Sequence, residues 1–254
     1  MNEKAKELNM KNTHFVTPNG LDDENHYSSA YDMAILANYA LNNDIFKKIV
    51  GTKSIQVTWK DSYKTITNTN ELLGIYPGVY GVKTGFTFGA GRCLISACKQ
   101  TELDIIVVVL GANTKKERTL DSINLLNYVN TNYKLVDLVQ IVNNSFKDYE
   151  NYFSKNVSAE SLIEMPKLKL EEKYISVYPI KKEEISRLET KIFTILNFKE
   201  TLEENTKIGV LKVYEKEKLI VEYNILLANK LVKKDFSYYF FDILKNYISY
   251  FYKI

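Results

Sequence analysis

The chain has 254 residues, a length that fits one or two domains, and its 45% hydrophobic content suffices for a real core. Its net charge of +3 is small and dispersed, with no basic cluster interleaved with aromatics before the C-terminal stretch, which excludes nucleic acid as an expected partner. Residues 1–10 are charged and lack an apolar h-region, so no signal peptide is expected in this chain.

The first predicted helix follows Ser29-Ala30-Tyr31-Asp32, where the Ser and the acidic residue have capping-box spacing. Met33, Leu36, Ala37, Ala40 and Leu41 then recur at helical intervals. Residues 54–58 and 62–67 alternate as a hairpin around Lys60-Asp61. Cys93-Leu94-Ile95-Ser96-Ala97 reads as a strand. The apolar run 105–110 reads as another, covered on both faces. Residues 119–133 predict a helix with Ile123, Leu126, Val129 and Tyr133 on one side.

Beyond residue 134 the pattern changes. Short β-branched runs at 174–178, 191–196, 208–214 and 219–226 are separated by charged breaks such as Lys181-Lys182-Glu183-Glu184 and Glu215-Lys216-Glu217-Lys218. Regular short strands of this kind predict a small all-β sandwich domain over 135–227. Residues 228–254 predict an amphipathic helix. Phe236, Phe240, Ile243, Leu244, Tyr247, Ile248 and Phe251 fall on one arc, with Asp242, Lys245, Asn246, Ser249 and Lys253 opposite. A mid-segment Asp and Lys make a spanning helix costly, whereas the aromatics and Lys233-Lys234 suit a helix lying in a membrane interface.

Chemistry concentrates at Lys83-Thr84-Gly85, within Gly81-Val82-Lys83-Thr84-Gly85-Phe86-Thr87. Neighbouring residues on a strand point to opposite faces, but a twisted edge strand followed by Gly can offer an ammonium and a hydroxyl to one carboxylate. With Lys11-Asn12-Thr13-His14-Phe15, Pro18-Asn19-Gly20-Leu21-Asp22-Asp23, Asn68-Thr69-Asn70-Glu71-Leu72-Leu73, Ala90-Gly91-Arg92-Cys93-Leu94 and Val107-Val108-Val109-Leu110-Gly111, this segment resembles the penicillin-sensitive, serine-type D-alanyl-D-alanine carboxypeptidases. In that family Ser-x-x-Lys carries the nucleophile and its base, Ser-x-Asn relays protons, and Lys-Thr-Gly holds the substrate carboxylate.

The resemblance implies an α/β fold. Residues 1–134 correspond to the C-terminal part of a transpeptidase- or β-lactamase-like catalytic domain, and the β domain and membrane-associating helix follow. It implies substrate contacts by Lys83, Thr84, Gly85 and Phe86, with the Phe86 backbone N–H as half of an oxyanion hole. It implies neither metal nor cofactor. Its partners would be a peptidoglycan stem peptide ending in D-Ala-D-Ala, β-lactams once the missing part is supplied, and a membrane surface on the extracytoplasmic side. Literal matches at Ser96-Ala97-Cys98-Lys99, Ser122-Ile123-Asn124 and Ser154-Lys155-Asn156 are set aside. On a strand, Ser96 and Lys99 have opposite parity, and a nucleophile needs a helix N-terminus. The chain is therefore expected to lack its nucleophile, and to be the C-terminal portion of a longer precursor. A non-catalytic, wall- or membrane-associated binding fragment is the alternative. Cys93 and Cys98 are expected as buried free thiols, and His14 and His26 as loop hydrogen-bonding residues.

Overall fold

In the computed structural model, residues 1–59, 62–171 and 177–251 are described, and the chain forms two units, Met1–Lys134 and Leu135–Ile254. The first opens with helix α1 (Asn2–Glu7), which buries Ala5. Ser29 caps helix α2 (Ala30–Leu41), its Oγ accepting from the Asp32 N–H at 3.2 Å. Only half of the anticipated capping box forms. The Asp32 carboxylate, which is buried, instead accepts from Asn12 N–H and from the Thr13 hydroxyl, both at 2.7 Å. Asp32 thus meets the Ser29 cap through its N–H and pins the preceding loop to the helix through its carboxylate.

Asn43 caps helix α3 (Asp44–Gly51), and the hairpin of β1 (Ser54–Trp59) and β2 (Ser62–Thr67) follows. The strands pair antiparallel as the alternation predicts, from Ser54 with Thr67 to Trp59 with Ser62. The hairpin turn expected at Lys60-Asp61 lies outside the described residues. A three-stranded antiparallel sheet comes next, ordered β3 (Val79–Thr87), β4 (Gly91–Cys98), β5 (Ile105–Ala112). Leu94, Ser96 and Cys98 are fully buried on one face, opposite Val109, Val107 and Ile105. On the other face Ile95 and Ile106 are half-buried against Val50, Val82 and Ala97. The run 105–110 is therefore sealed on one side and partly covered on the other, with Leu110 40% exposed.

Helix α4 (Lys115–Asn132) packs against β4 and β5 and buries Leu126. It starts four residues before the predicted point, because Thr114 and Glu117 complete a reciprocal capping box. Part of its inward face is polar, Arg118 and Ser122, which hid that turn from an apolar pattern.

Strand β6 (Tyr133–Asp137) runs across the boundary, and helix α5 (Leu138–Asn156) of the second unit follows, capped by Asp137, whose carboxylate accepts from Val139 N–H at 2.8 Å. Next come β7 (Leu168–Leu170), β8 (Val177–Lys181), a 3₁₀ turn (Lys182–Arg187), β9 (Leu188–Thr194), β10 (Lys207–Glu215) and β11 (Lys218–Leu227). The main sheet is antiparallel in the order β7-β11-β10-β9, while β6 pairs with β8. Leu138, Val142, Phe146 and Phe153 of α5 share one core with Leu211, Val213, Ile225 and Leu227 of the sheet.

An all-β sandwich over 135–227 is thus corrected: a helix, not a second sheet, buries the inner face. Its apolar positions recur at 138, 142, 146, 149 and 153, a helical period spaced by Asn, Lys and Tyr and set among short-strand patterns that obscure it. Of the strand expected at 174–178, only Val177 and Tyr178 are described. Helix α6 (Phe236–Phe251) ends the described chain. Phe236, Phe240, Ile243, Leu244, Tyr247 and Ile248 along its arc are all exposed. Phe241 and Tyr239 widen that arc and are exposed too. Lys253 lies outside the described residues. No described helix is long and apolar enough to cross a membrane.

Two glycines on strands behave in opposite ways. A Cβ on Gly209 would run into the Phe193 carbonyl oxygen and the Thr194 side chain, where β10 carries a bulge against β11. A Cβ on Gly85 would meet only the Cys93 Cβ, at an ordinary 3.8 Å. Gly209→Ala should therefore cost roughly 1–3 kcal/mol, as overpacking does, read as a lower urea midpoint for the full chain. Gly85→Ala should stay within about 0.5 kcal/mol of wild type.

The cysteines are both free. Cys93 is half-buried, while Cys98 is fully buried with its Sγ directed at the Pro77 carbonyl, 3.4 Å away. Burial, and then the Asp104 charge, push the Cys98 thiol up. At pH 8 a disulfide reagent should label one thiol in the native chain, lost on Cys93→Ser, and the second only on unfolding. Equal rates for both would contradict this packing.

Candidate functional site

Strand β3 is an outer strand of its sheet, which leaves one long edge of Lys83-Thr84-Gly85 clear of β4. The alternation expected of a strand holds: Lys83 is exposed, while Thr84 is half-buried. Both functional groups nevertheless converge on residue 84. The Lys83 Nζ donates to the Thr84 carbonyl at 2.6 Å, and the Thr84 Oγ1 lies 2.6 Å from the Thr69 Oγ1. An ammonium and a hydroxyl thus flank a single peptide unit.

Phe86 follows on the face occupied by Thr84, opposite Arg92 in the ladder. The Arg92 guanidinium sits 3.6 Å above the Phe86 ring, and Phe88 packs edge-on to it with centroids 5.6 Å apart. Such cation–π and edge-to-face contacts hold an exposed aromatic in place. At the other end of β3, the Tyr80 hydroxyl donates to Asp104 at 2.6 Å. Burial, then that bond, push the Tyr80 phenol far above its usual range.

The segment between β2 and β3 holds the strand from the side. Asn68 donates from Nδ2 to the carbonyls of Val50 and Thr52, at 3.0 and 3.1 Å. Buried Asn70 donates to the Gly81 carbonyl at 2.9 Å and accepts from Leu72 N–H at 3.1 Å. Glu71 receives the buried Arg118 guanidinium of α4 and the Thr119 hydroxyl. In the sequence these residues stand out only as part of the resemblance. The available signal was Asn-x-Asn, since Asn side chains readily close turns on their own backbone.

The three serine matches set aside above have these surroundings. Ser96 is fully buried in β4, and its Oγ has no hydrogen-bond partner among the described residues. Ser122 is buried in α4, donating to the Arg118 carbonyl, and the exposed Ser154 of α5 donates to the Asn151 carbonyl. His14 meets the Asn25 carbonyl at 2.6 Å through Nδ1, and the His26 Nδ1 accepts from Val16 N–H at 3.2 Å.

With this geometry in view, likeness to known proteins becomes informative. Residues 1–114 match the peptidase S11 family, described as D-alanyl-D-alanine carboxypeptidase. The chain is 44% identical over 135 residues to D-alanyl-D-alanine carboxypeptidase DacF of Bacillus subtilis (strain 168), covering 53% of this chain and 35% of that one. It is 29% identical over 242 residues to DacD of Salmonella typhimurium, covering 92% of this chain and 57% of that one. The chain therefore spans between about a third and three-fifths of these relatives. In fold it is similar to penicillin binding protein 5 from Haemophilus influenzae, with a TM-score of 0.63 at 26% identity over 91% of this chain and 64% of that one. Over residues 1–114, the stretch that carries Lys83-Thr84-Gly85, the chain is thus similar to the D-alanyl-D-alanine carboxypeptidase family.

Proposed function

We propose that this chain carries the carboxylate-holding part of a serine D-alanyl-D-alanine carboxypeptidase, which removes the terminal D-Ala of peptidoglycan stem peptides through an acyl-enzyme. The observation that carries the reading is the meeting of the Lys83 ammonium and the Thr84 hydroxyl at one residue of an outer strand. In it Lys83 supplies positive potential and Thr84 donates to the terminal carboxylate. Gly85 lets the substrate backbone approach, in keeping with a position that packing leaves free for a Cβ. The Phe86 N–H stabilises the oxyanion. A β-lactam would occupy the same place when the nucleophile is supplied.

Taken by itself, the chain is catalytically silent in this reading. The burial of Ser96 and the helical positions of Ser122 and Ser154 support that view. Without an attacking hydroxyl and its base, oxyanion stabilisation has nothing to act on. The full chain should release no D-Ala from D-Ala-D-Ala peptides and form no adduct with a fluorescent penicillin, yet bind the peptide reversibly. Lys83→Gln and Thr84→Val should each weaken that binding. An adduct lost on Ser96→Ala would identify a nucleophile in this chain and sink the silent reading.

Localisation in this reading is the extracytoplasmic face of the membrane, with α6 lying in the interface. Its exposed apolar arc and the flanking Lys233 and Lys234 support this. Each large side chain contributes about 1.5–3 kcal/mol on full burial and less at an interface. Each Lys adds ~1 kcal/mol near anionic lipid. The full chain should sediment with anionic vesicles, and a Phe240→Glu, Leu244→Glu double variant should remain in the supernatant. Equal sedimentation of the two would remove α6 from this role.

A further inference from the structure

The Thr69 hydroxyl meets the Thr84 hydroxyl at 2.6 Å, within hydrogen-bond range for two hydroxyls. Such a pair holds two protons, and only one can lie between the oxygens. The other points out of the pair, toward any acceptor placed there. Thr69 is itself exposed, yet its neighbours on both sides are fixed. Asn68 is tied to Val50 and Thr52, Asn70 to Gly81 and Leu72, and Glu71 to Arg118. With its neighbours so held, Thr69 places its side chain against β3, where its hydroxyl meets Thr84.

We infer that Thr69 is a positioning residue: it donates its proton to the Thr84 Oγ1, so that the Thr84 proton faces the terminal carboxylate of the bound peptide. The inference rests on the carboxylate reading of Lys83 and Thr84 proposed above. A carboxylate accepts and cannot donate, so it selects the arrangement in which Thr84 donates outward and Thr69 donates inward. A hydroxyl that is itself accepting a hydrogen bond is a better donor, so the chain of bonds is stronger than its parts. The Lys83 ammonium on the Thr84 carbonyl adds positive potential at the same residue. A C-terminal amide, a weaker acceptor with donors of its own, gains little from this order.

The test uses the full chain and calorimetric titration with an N-acylated peptide ending in D-Ala-D-Ala carboxylate and with the same peptide as its C-terminal amide. Thr69→Val should weaken carboxylate binding roughly three- to tenfold, the effect of one hydrogen bond, and leave the amide unchanged. Thr69→Ser should restore wild-type binding. The Thr69→Val, Thr84→Val double variant should bind no more weakly than Thr84→Val, since the relay has then already lost its end. If Thr84→Val weakens binding and Thr69→Val does not, the role of Thr69 is overturned and the carboxylate reading stands. If Thr69→Val weakens both peptides equally, its part is merely structural and the inference also fails. If Thr84→Val binds like wild type, or wild type does not distinguish carboxylate from amide, the underlying reading falls with it.

Discussion

One buried amide organises the first unit. The Asn70 side chain is almost wholly removed from water, and both its ends are committed: Nδ2 to the Gly81 carbonyl and Oδ1 to the Leu72 N–H. Leaving a buried backbone group unpaired costs about 1–3 kcal/mol, so either partner would suffer if this amide were lost. Gly81 lies in the motif strand two residues before Lys83, and Leu72, fully buried, anchors the segment below it. The same side chain therefore fixes the height of β3 relative to the loop that carries Thr69.

Arg118 acts on that loop from the other side. Its guanidinium is nearly buried, its Nε finds no partner among the described residues, and its charge is answered by Glu71, which keeps one flank in water. A buried charge with a single acidic partner tolerates little displacement, since separation leaves it uncompensated. Thr119 adds a second donor to the same carboxylate oxygen. Helix α4 thus serves the site twice, by covering the sheet with Leu126 and by holding the Asn68–Glu71 stretch through Arg118.

The parts legible in the sequence were those governed by simple periods. The β1–β2 hairpin, the β3–β4–β5 run and the helix after Ser29 each announce themselves through alternation or capping chemistry. The motif at Lys83 was readable because its residue types are few and its spacing fixed. What escaped had one of two causes. Helix α5 carries its apolar positions at helical spacing among many polar residues, in a region otherwise patterned as short strands, which masks its place on the inner face of the β7-β11-β10-β9 sheet. The roles of Asp32, Asn70, Thr69 and Arg118 depend on partners between 11 and 47 residues away, a relation that no local pattern encodes.

The β1–β2 ribbon stands out for its exposure, with every residue of β2 facing solvent. A two-stranded ribbon without a buried face is marginal by itself, and its outer rungs should open and close far more often than the sheet. Its base is different. The Asn68 N–H donates to the Lys53 carbonyl at 2.8 Å, and the Asn68 amide bridges to Val50 and Thr52, so both legs of the ribbon are stitched together where they leave the body. Asn68 therefore works as a mechanical stop. Fraying that starts near Thr58 and Tyr63 should therefore end before it reaches Thr69, and the hydroxyl one residue beyond Asn68 should keep its position.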